Sequence, residues 1–353
     1  MDYKAELKEL IEIVIKEGGS DLHLSGGQRP TIRVSGFLIP LMKKPVLSAK
    51  DAEGLIKELL TPDNQQIFYS TREVDFSYTF NDRVRFRGNG YVQKGFQAVA
   101  LRLIPKEIRT LEELKLPSIL ETFTKKQQGF FLVVGPVGHG KSTTLASMVE
   151  MINQSRLEHI VTIEDPIEYL FENKKSIIDQ REVRLDTKDF QTALISAFRQ
   201  DVDVMMVGEM RGLDTIATAV TAAETGHLVL STLHTNSAAQ TIERIIDAFP
   251  AEQQGQIRLQ LSGSLLGIFS QRLIPRIAGG LVPAYELLIN NSAISNLIRE
   301  KRIHEINTVI ETGSGQGMID MNRSLVELVR QGEISIENAY QFSFNPKTLE
   351  KLL

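Results

Sequence analysis

The stretch Gly135-Pro136-Val137-Gly138-His139-Gly140-Lys141-Ser142 fits the pattern G-x-x-x-x-G-K-[ST] and sits directly behind the apolar run Phe130-Phe131-Leu132-Val133-Val134. Such a loop needs a strand to deliver it and a helix to leave it, so it constrains the fold more than any other part of the chain. Its glycines let successive backbone N–H groups curl around the β- and γ-phosphates of a nucleotide. Lys141 brings a cation to the same phosphates, and the Ser142 hydroxyl is a ligand for Mg²⁺. The segment from Thr143 onward is expected to aim its positive helix end at the anion. Residues Gly135 to Thr143 are therefore read as the ATP-binding loop, with His139 bulkier than the small residue usual at its place.

From residue 129 onward, buried strands alternate with helices, the texture of a parallel sheet. Four apolar runs, 130–134, 160–163, 204–207 and 228–233, each end in chemistry. The endings are the phosphate loop, Glu164-Asp165-Pro166, Gly208-Glu209 and His234-Thr235. Ligands of open α/β sheets bind outside the carboxyl ends of the strands, so these four clusters are expected to share one site. Helices are expected over 186–200 and 213–224. Past about residue 284 the chain reads mainly as helices, at 293–301, 324–330 and 335–339.

The N-terminal part reads differently. An amphipathic helix carries Leu7, Leu10, Ile11, Val14 and Ile15 on one face and ends at Gly18-Gly19. Strand patterns follow at 21–24, at 31–41 broken by Ser35-Gly36, and at 74–80, 84–93 and 97–104. A second helix over 48–60 is stopped by Thr61-Pro62. The expected organisation is an α+β domain over 1–105 on a mostly antiparallel sheet, a linker over 106–118, an α/β nucleotide domain over 119–290 and a helical region over 291–353.

With 353 residues, 42% hydrophobic and 24% charged, the chain has the composition of an ordinary soluble protein. A net charge of −4 supplies no global basic field, so nucleic acid is not an expected partner. Cysteine is absent, which excludes disulfides and cysteine-ligated metals. The charged start at Asp2, Lys4 and Glu6 and the lack of an apolar run of about 18 residues point to a cytoplasmic protein that meets membranes only through a partner.

Glu209 directly follows a buried strand, the position that in phosphate-loop enzymes holds the Mg²⁺ shell or polarises the attacking water. Glu164, Asp165 and Glu168 gather carboxylates that a cation would relieve. Sequence leaves open which of Glu164 and Glu209 is the base; the favoured assignment is Glu164 as base and Glu209, with Ser142, as metal ligand. His234, at the end of its strand, is placed to hydrogen-bond a γ-phosphate. Arg83, Arg85 and Arg87 alternate with Val84 and Phe86, so they share one strand face and could reach a phosphate from a neighbouring subunit.

Taken together, these residues resemble the secretion-type hexameric ATPases and, within them, the type IV pilus retraction ATPases. The phosphate loop, Glu164 to Glu168, Val207 to Arg211, and Thr225 to Ala238 match that family's four motifs in order. The likeness extends to 20–24, 178–183, 241–249 and 293–300. It implies a PAS-like N-terminal domain and a RecA-like P-loop ATPase domain with C-terminal helices. It also implies a homohexamer that binds ATP and Mg²⁺ between domains, with Arg83, Arg85 and Arg87 at the nucleotide interface. The implied partner is the inner-membrane platform protein of the pilus machine, which would place the chain at the inner face of the bacterial inner membrane. An assembly or type II secretion ATPase and a low-turnover accessory paralogue are the alternatives. His139, Gly212, Ser295, Gln200 and Val202 depart from the family pattern, whereas Lys141, Ser142, Glu164 and Glu209 keep it.

Overall fold

Asp2 opens the first helix, α1 (Tyr3–Lys16), by accepting the amide of Ala5 at 3.1 Å. Leu7, Leu10, Ile11 and Val14 form its buried stripe, whereas Ile15, expected on that face, is 42% exposed. The computed structural model describes residues Asp2 to Leu353 except Ser35, Asp82, Arg83, Lys106 and Arg211. Contacts divide the chain into two units, Met1–Lys106 with Glu168–Leu170, and Glu107–Ile167 with Phe171–Leu353.

In the first unit, β1 (Asp21–Ser25), β2 (Thr31–Val34), β3 (Phe37–Pro40), β4 (Glu73–Phe80), β5 (Val84–Gln93) and β6 (Phe96–Leu103) form one sheet. Its order is β3-β2-β1-β6-β5-β4, and the paired strands are antiparallel. Two more helices belong to this unit, α2 (Ala49–Leu59) and α3 (Pro62–Thr71). Ser48 and Asp51 close a capping box on α2. Thr61-Pro62 ends α2, as expected, and also starts α3, since Thr61 caps it and proline at the first helical position gives up no needed N–H. Leu10, Leu55 and Phe68 of the helices pack on Leu22, Phe86 and Leu101 of the sheet. The alternate face bears Arg33, Asp21, Arg102 and Arg87, which lie side by side across four strands.

The second unit is built on β7 (Gly129–Val134), β8 (His159–Glu164), β9 (Ile177–Glu182), β10 (Val204–Val207), β11 (Leu228–Leu233), β12 (Leu265–Pro275) and β13 (Leu281–Ile289). The order is β13-β12-β7-β11-β10-β8-β9, parallel except for β13, which forms a hairpin with β12. Strands β9, β12 and β13 were not among the four expected apolar runs. A short helix, α4 (Glu121–Thr124), and the long α5 (Lys141–Ser155) cover one face, where Phe123, Leu145, Met148 and Ile152 meet Phe131 and Val133. The other face is covered by α6 (Phe190–Ala197), α7 (Leu213–Glu224), α8 (Ala238–Asp247), α9 (Ala251–Ser264), α10 (Ser292–Arg299) and α11 (Ile306–Thr312). Helix α6 is shorter than the expected 186–200, because Asp189 caps it through the amide of Thr192. The last helices, α12 (Met321–Arg330), α13 (Ile336–Phe342) and α14 (Pro346–Leu352), pack Met321, Leu325, Ala339 and Leu349 on Ile274, Val282 and Ala284 of the hairpin. Among the described residues, no helix is long and apolar enough to cross a membrane.

Candidate functional site

Strand order decides which motifs meet. Moving across the sheet, β7, β11, β10 and β8 are neighbours, and all run parallel. Their carboxyl ends therefore present, side by side, the phosphate loop, His234, Glu209 and Glu164. The expectation of one shared edge describes this arrangement for all four clusters.

The loop leaves β7 at Gly135 and enters α5 at Lys141. Gly135 has φ 145°, and a Cβ there would stand 2.3 Å from the Gln271 carbonyl oxygen. Gly140 has φ 81°, and a Cβ there would come within 2.9 Å of Gln271 Nε2. Gly135 thus needs glycine for conformation and for space against backbone, and Gly140 needs it for its left-handed conformation. Gly140 caps α5 with no side chain to occupy the helix N-terminus, which leaves that positive end to an anion. Pro136, Val137 and Gly138 form the outer turn, with Gly138 also left-handed at φ 81°. Ser142 and Thr143, half-buried, occupy the first turn of α5.

Lys141 is buried at 7% exposure, and its Nζ donates to the carbonyls of Gly135 and Pro136, each at 2.9 Å. The same ammonium lies 3.3 Å from His234 Nδ1, and His234 Nε2 lies 3.1 Å from Glu209 Oε2. A lysine ammonium can only donate, so Nδ1 accepts and the proton sits on Nε2, which donates to Glu209. A directed chain Lys141, His234, Glu209 follows, linking the phosphate loop to the acid two strands away. Glu164, at 6% exposure, accepts from Thr162 Oγ1 at 2.8 Å and Gln180 Nε2 at 3.3 Å. A Cβ at Gly208 would lie 3.3 Å from the Ile163 carbonyl and 3.5 Å from Glu164 Cα, so glycine lets the ends of β10 and β8 approach. Asp165 faces Arg184 at 3.4 Å, and Glu168 falls in the other unit.

His139 has a structural explanation. Its Nδ1 accepts the amide of Leu273 on β12 at 2.9 Å, and its carbonyl accepts from Gln271 Nε2 at 3.0 Å. Burial, then the charges of Arg272 and Lys141, hold the imidazole below its ordinary pKa, which keeps Nδ1 an acceptor. Gly212, the departure after Arg211, is the N-cap of α7 and offers no side-chain acceptor to it. Ser295 bonds the Ser262 carbonyl at 2.9 Å, joining α10 to the end of α9.

Of the arginines, Arg83 lies outside the described residues. Arg85 and Arg87 sit on β5 of the first unit, in register with Thr79 and Ser77 of β4 and on the face opposite buried Phe86. Arg102, beside Arg87, donates to Asp21 at 3.0 Å. Gln271, which touches two loop residues, was missed by sequence reasoning; its only signal is a buried polar residue in an apolar strand.

The donor set suits a Mg²⁺–nucleotide. It offers a glycine-made curl, an uncapped helix end and a buried lysine for phosphate, with the Ser142 hydroxyl and the Glu209 carboxylate for the metal.

Residues 5–313 match the family described as type II/IV secretion system protein. The chain is 45% identical over 334 residues to the type IV pilus retractation ATPase PilT of Pseudomonas aeruginosa, spanning 95% of this chain and 97% of that protein. It is 39% identical over 335 residues to the type IV pilus ATPase PilU of the same organism, spanning 95% and 87%. The crystal structure of the pilus retraction motor PilT with bound ADP superposes with a TM-score of 0.91 at 46% identity, over 98% of each chain. Matched by that family's model over residues 5–313 and 45% identical to a relative along nearly the whole of both chains, the chain belongs to the type II/IV secretion system protein family.

Proposed function

We propose that this chain is a Mg²⁺-ATP-hydrolysing motor that works as a homohexamer and powers retraction of a type IV pilus. The observation that carries the reading is the Lys141–His234–Glu209 chain at the edge of a RecA-like sheet, in a protein similar throughout to a retraction ATPase. In this reading the backbone amides of residues 135–143 and Lys141 bind the phosphates, and Ser142 and Glu209 hold Mg²⁺. Glu164 accepts the proton of the attacking water, and its buried bonds to Thr162 and Gln180 orient it for that task. Bound Mg²⁺ would neutralise charge on the β- and γ-phosphates. A γ-phosphate would draw Lys141 from the carbonyls of Gly135 and Pro136, and His234 would pass that change to Glu209. Arg83, Arg85 and Arg87 would reach the nucleotide of a neighbouring copy, and the inner-membrane platform protein of the pilus would receive the resulting movement. The site of action would be the cytoplasmic face of that membrane.

A low-turnover accessory role is the second reading, to which the departures at His139 and Gly212 from the family pattern point. Steady-state ATP hydrolysis separates the two. The motor reading expects turnover that falls about a hundredfold or more in Lys141→Ala; absence of turnover in the intact assembly would sink it. Deletion in the host should leave excess pili and abolish twitching, whereas bald cells would point to assembly instead.

A further inference from the structure

A loop that turns its amides inward around phosphate must turn carbonyls outward, and those carbonyls need donors of their own. Lys141 serves Gly135 and Pro136. The carbonyl of His139, at the loop's far side, is served by Gln271 Nε2 at 3.0 Å. The other end of the same amide, Oε1, accepts from Thr144 Oγ1 at 2.7 Å, one turn into α5. Gln271 is 3% exposed and stands on β12, the strand flanking β7 on the side away from His234. Its backbone carbonyl fills the space that a side chain at Gly135 would need, and its amide fills that at Gly140.

We infer that Gln271 is a positioning residue for nucleotide binding: one side-chain amide fixes the phosphate loop to the first turn of α5. The role rests on the nucleotide reading above and extends it to a residue outside the four motifs. Both functions of the amide are needed together. A donor must face His139 and an acceptor must face Thr144, at the reach of two methylenes. Asparagine is one methylene short, glutamate lacks the donor, and methionine keeps the volume but neither bond.

The test is equilibrium binding of Mg²⁺–ADP to the full-length protein, with ATPase kinetics on the same samples. Gln271→Met should weaken ADP binding and raise the KM for ATP about tenfold while kcat stays within about threefold, since it removes two hydrogen bonds and leaves Lys141, Glu164 and Glu209 in place. Thr144→Val, a milder change that spares the fold, should weaken ADP binding about threefold. The two combined should cost less than the product of their separate effects, because they cut one link. Folded Gln271→Met, or Thr144→Val where Gln271→Met does not fold, binding ADP as the wild type does would overturn the inference alone. A wild-type chain that binds no ADP would overturn the nucleotide reading and this inference with it.

Discussion

His139 is tolerated in a crowded loop because β12 offers its imidazole an amide that β7 no longer pairs. The register of β7 with β12 ends at Val134 opposite Ser270, so the Leu273 N–H beyond it looks toward the loop. His139→Leu should leave that half-buried donor unmet and destabilise the second unit by about 1 kcal/mol at neutral pH, read by chemical denaturation. The imidazole's folded pKa lies below its unfolded value, so its contribution is full above the ordinary histidine pKa and is lost as pH falls through the folded one. The gap between wild type and variant should therefore close on acidification; a gap that widens would refute the acceptor role. Lys141, Ser142, Glu164, Glu209 and His234 were legible in the sequence because each follows an apolar run that announces a buried strand. Gln271 was not, because its partners His139 and Thr144 lie 132 and 127 positions away and no local pattern joins them.

Punctuation decided which elements could be read in advance. The runs of β7, β8, β10 and β11 are wholly or almost wholly buried and lead into polar loops, so both their kind and their ends were visible. Strand β12 follows α9 without a loop residue between Ser264 and Leu265, so no turn separates the two patterns. Edge strand β9 buries only Ile178 and Glu182, too little for an apolar signature. Another element-scale consequence concerns α8, which starts just past the His234 loop. Glu286 of β13 reaches its first amide, accepting from Ala238 N at 2.7 Å. Burial raises this carboxyl to about 7, against the lowering effect of that amide and with a further rise from Asp320. A carboxyl raised in the fold favours the folded state most below its unfolded pKa, and that advantage is lost as pH rises through about 7. Glu286→Gln keeps an acceptor for Ala238 and cannot ionise. Its denaturation midpoint should fall less than the wild type's between about pH 6 and about pH 8.5. Parallel pH profiles would show that Glu286 is not the titrating group.

Under the proposed function, arginines of the first unit would serve the nucleotide of a neighbouring copy, a role that only the assembly can test. The row Arg33, Asp21, Arg102, Arg87 is a basic face of the sheet, with Asp21 orienting Arg102. Such a face suits the delivery of positive charge to a phosphate across a subunit boundary. A ring with this division of labour makes a quantitative prediction. One population carries Lys141→Ala, with the loop defective and the arginines intact. The other carries Arg83, Arg85 and Arg87 all changed to alanine, with the loop intact. Each alone should be inactive. If the arginines act on a neighbour's nucleotide, random mixing in equal amounts makes about a quarter of the boundaries join an intact loop to intact arginines. ATP turnover should then return toward that fraction of the wild-type rate, less whatever cooperation between sites demands. If the arginines serve their own chain's nucleotide, every site in the mixture carries one defect and turnover stays at the level of the separate mutants. Subunit exchange, followed with a label on one population, ensures that lack of rescue reflects the site and not unmixed rings.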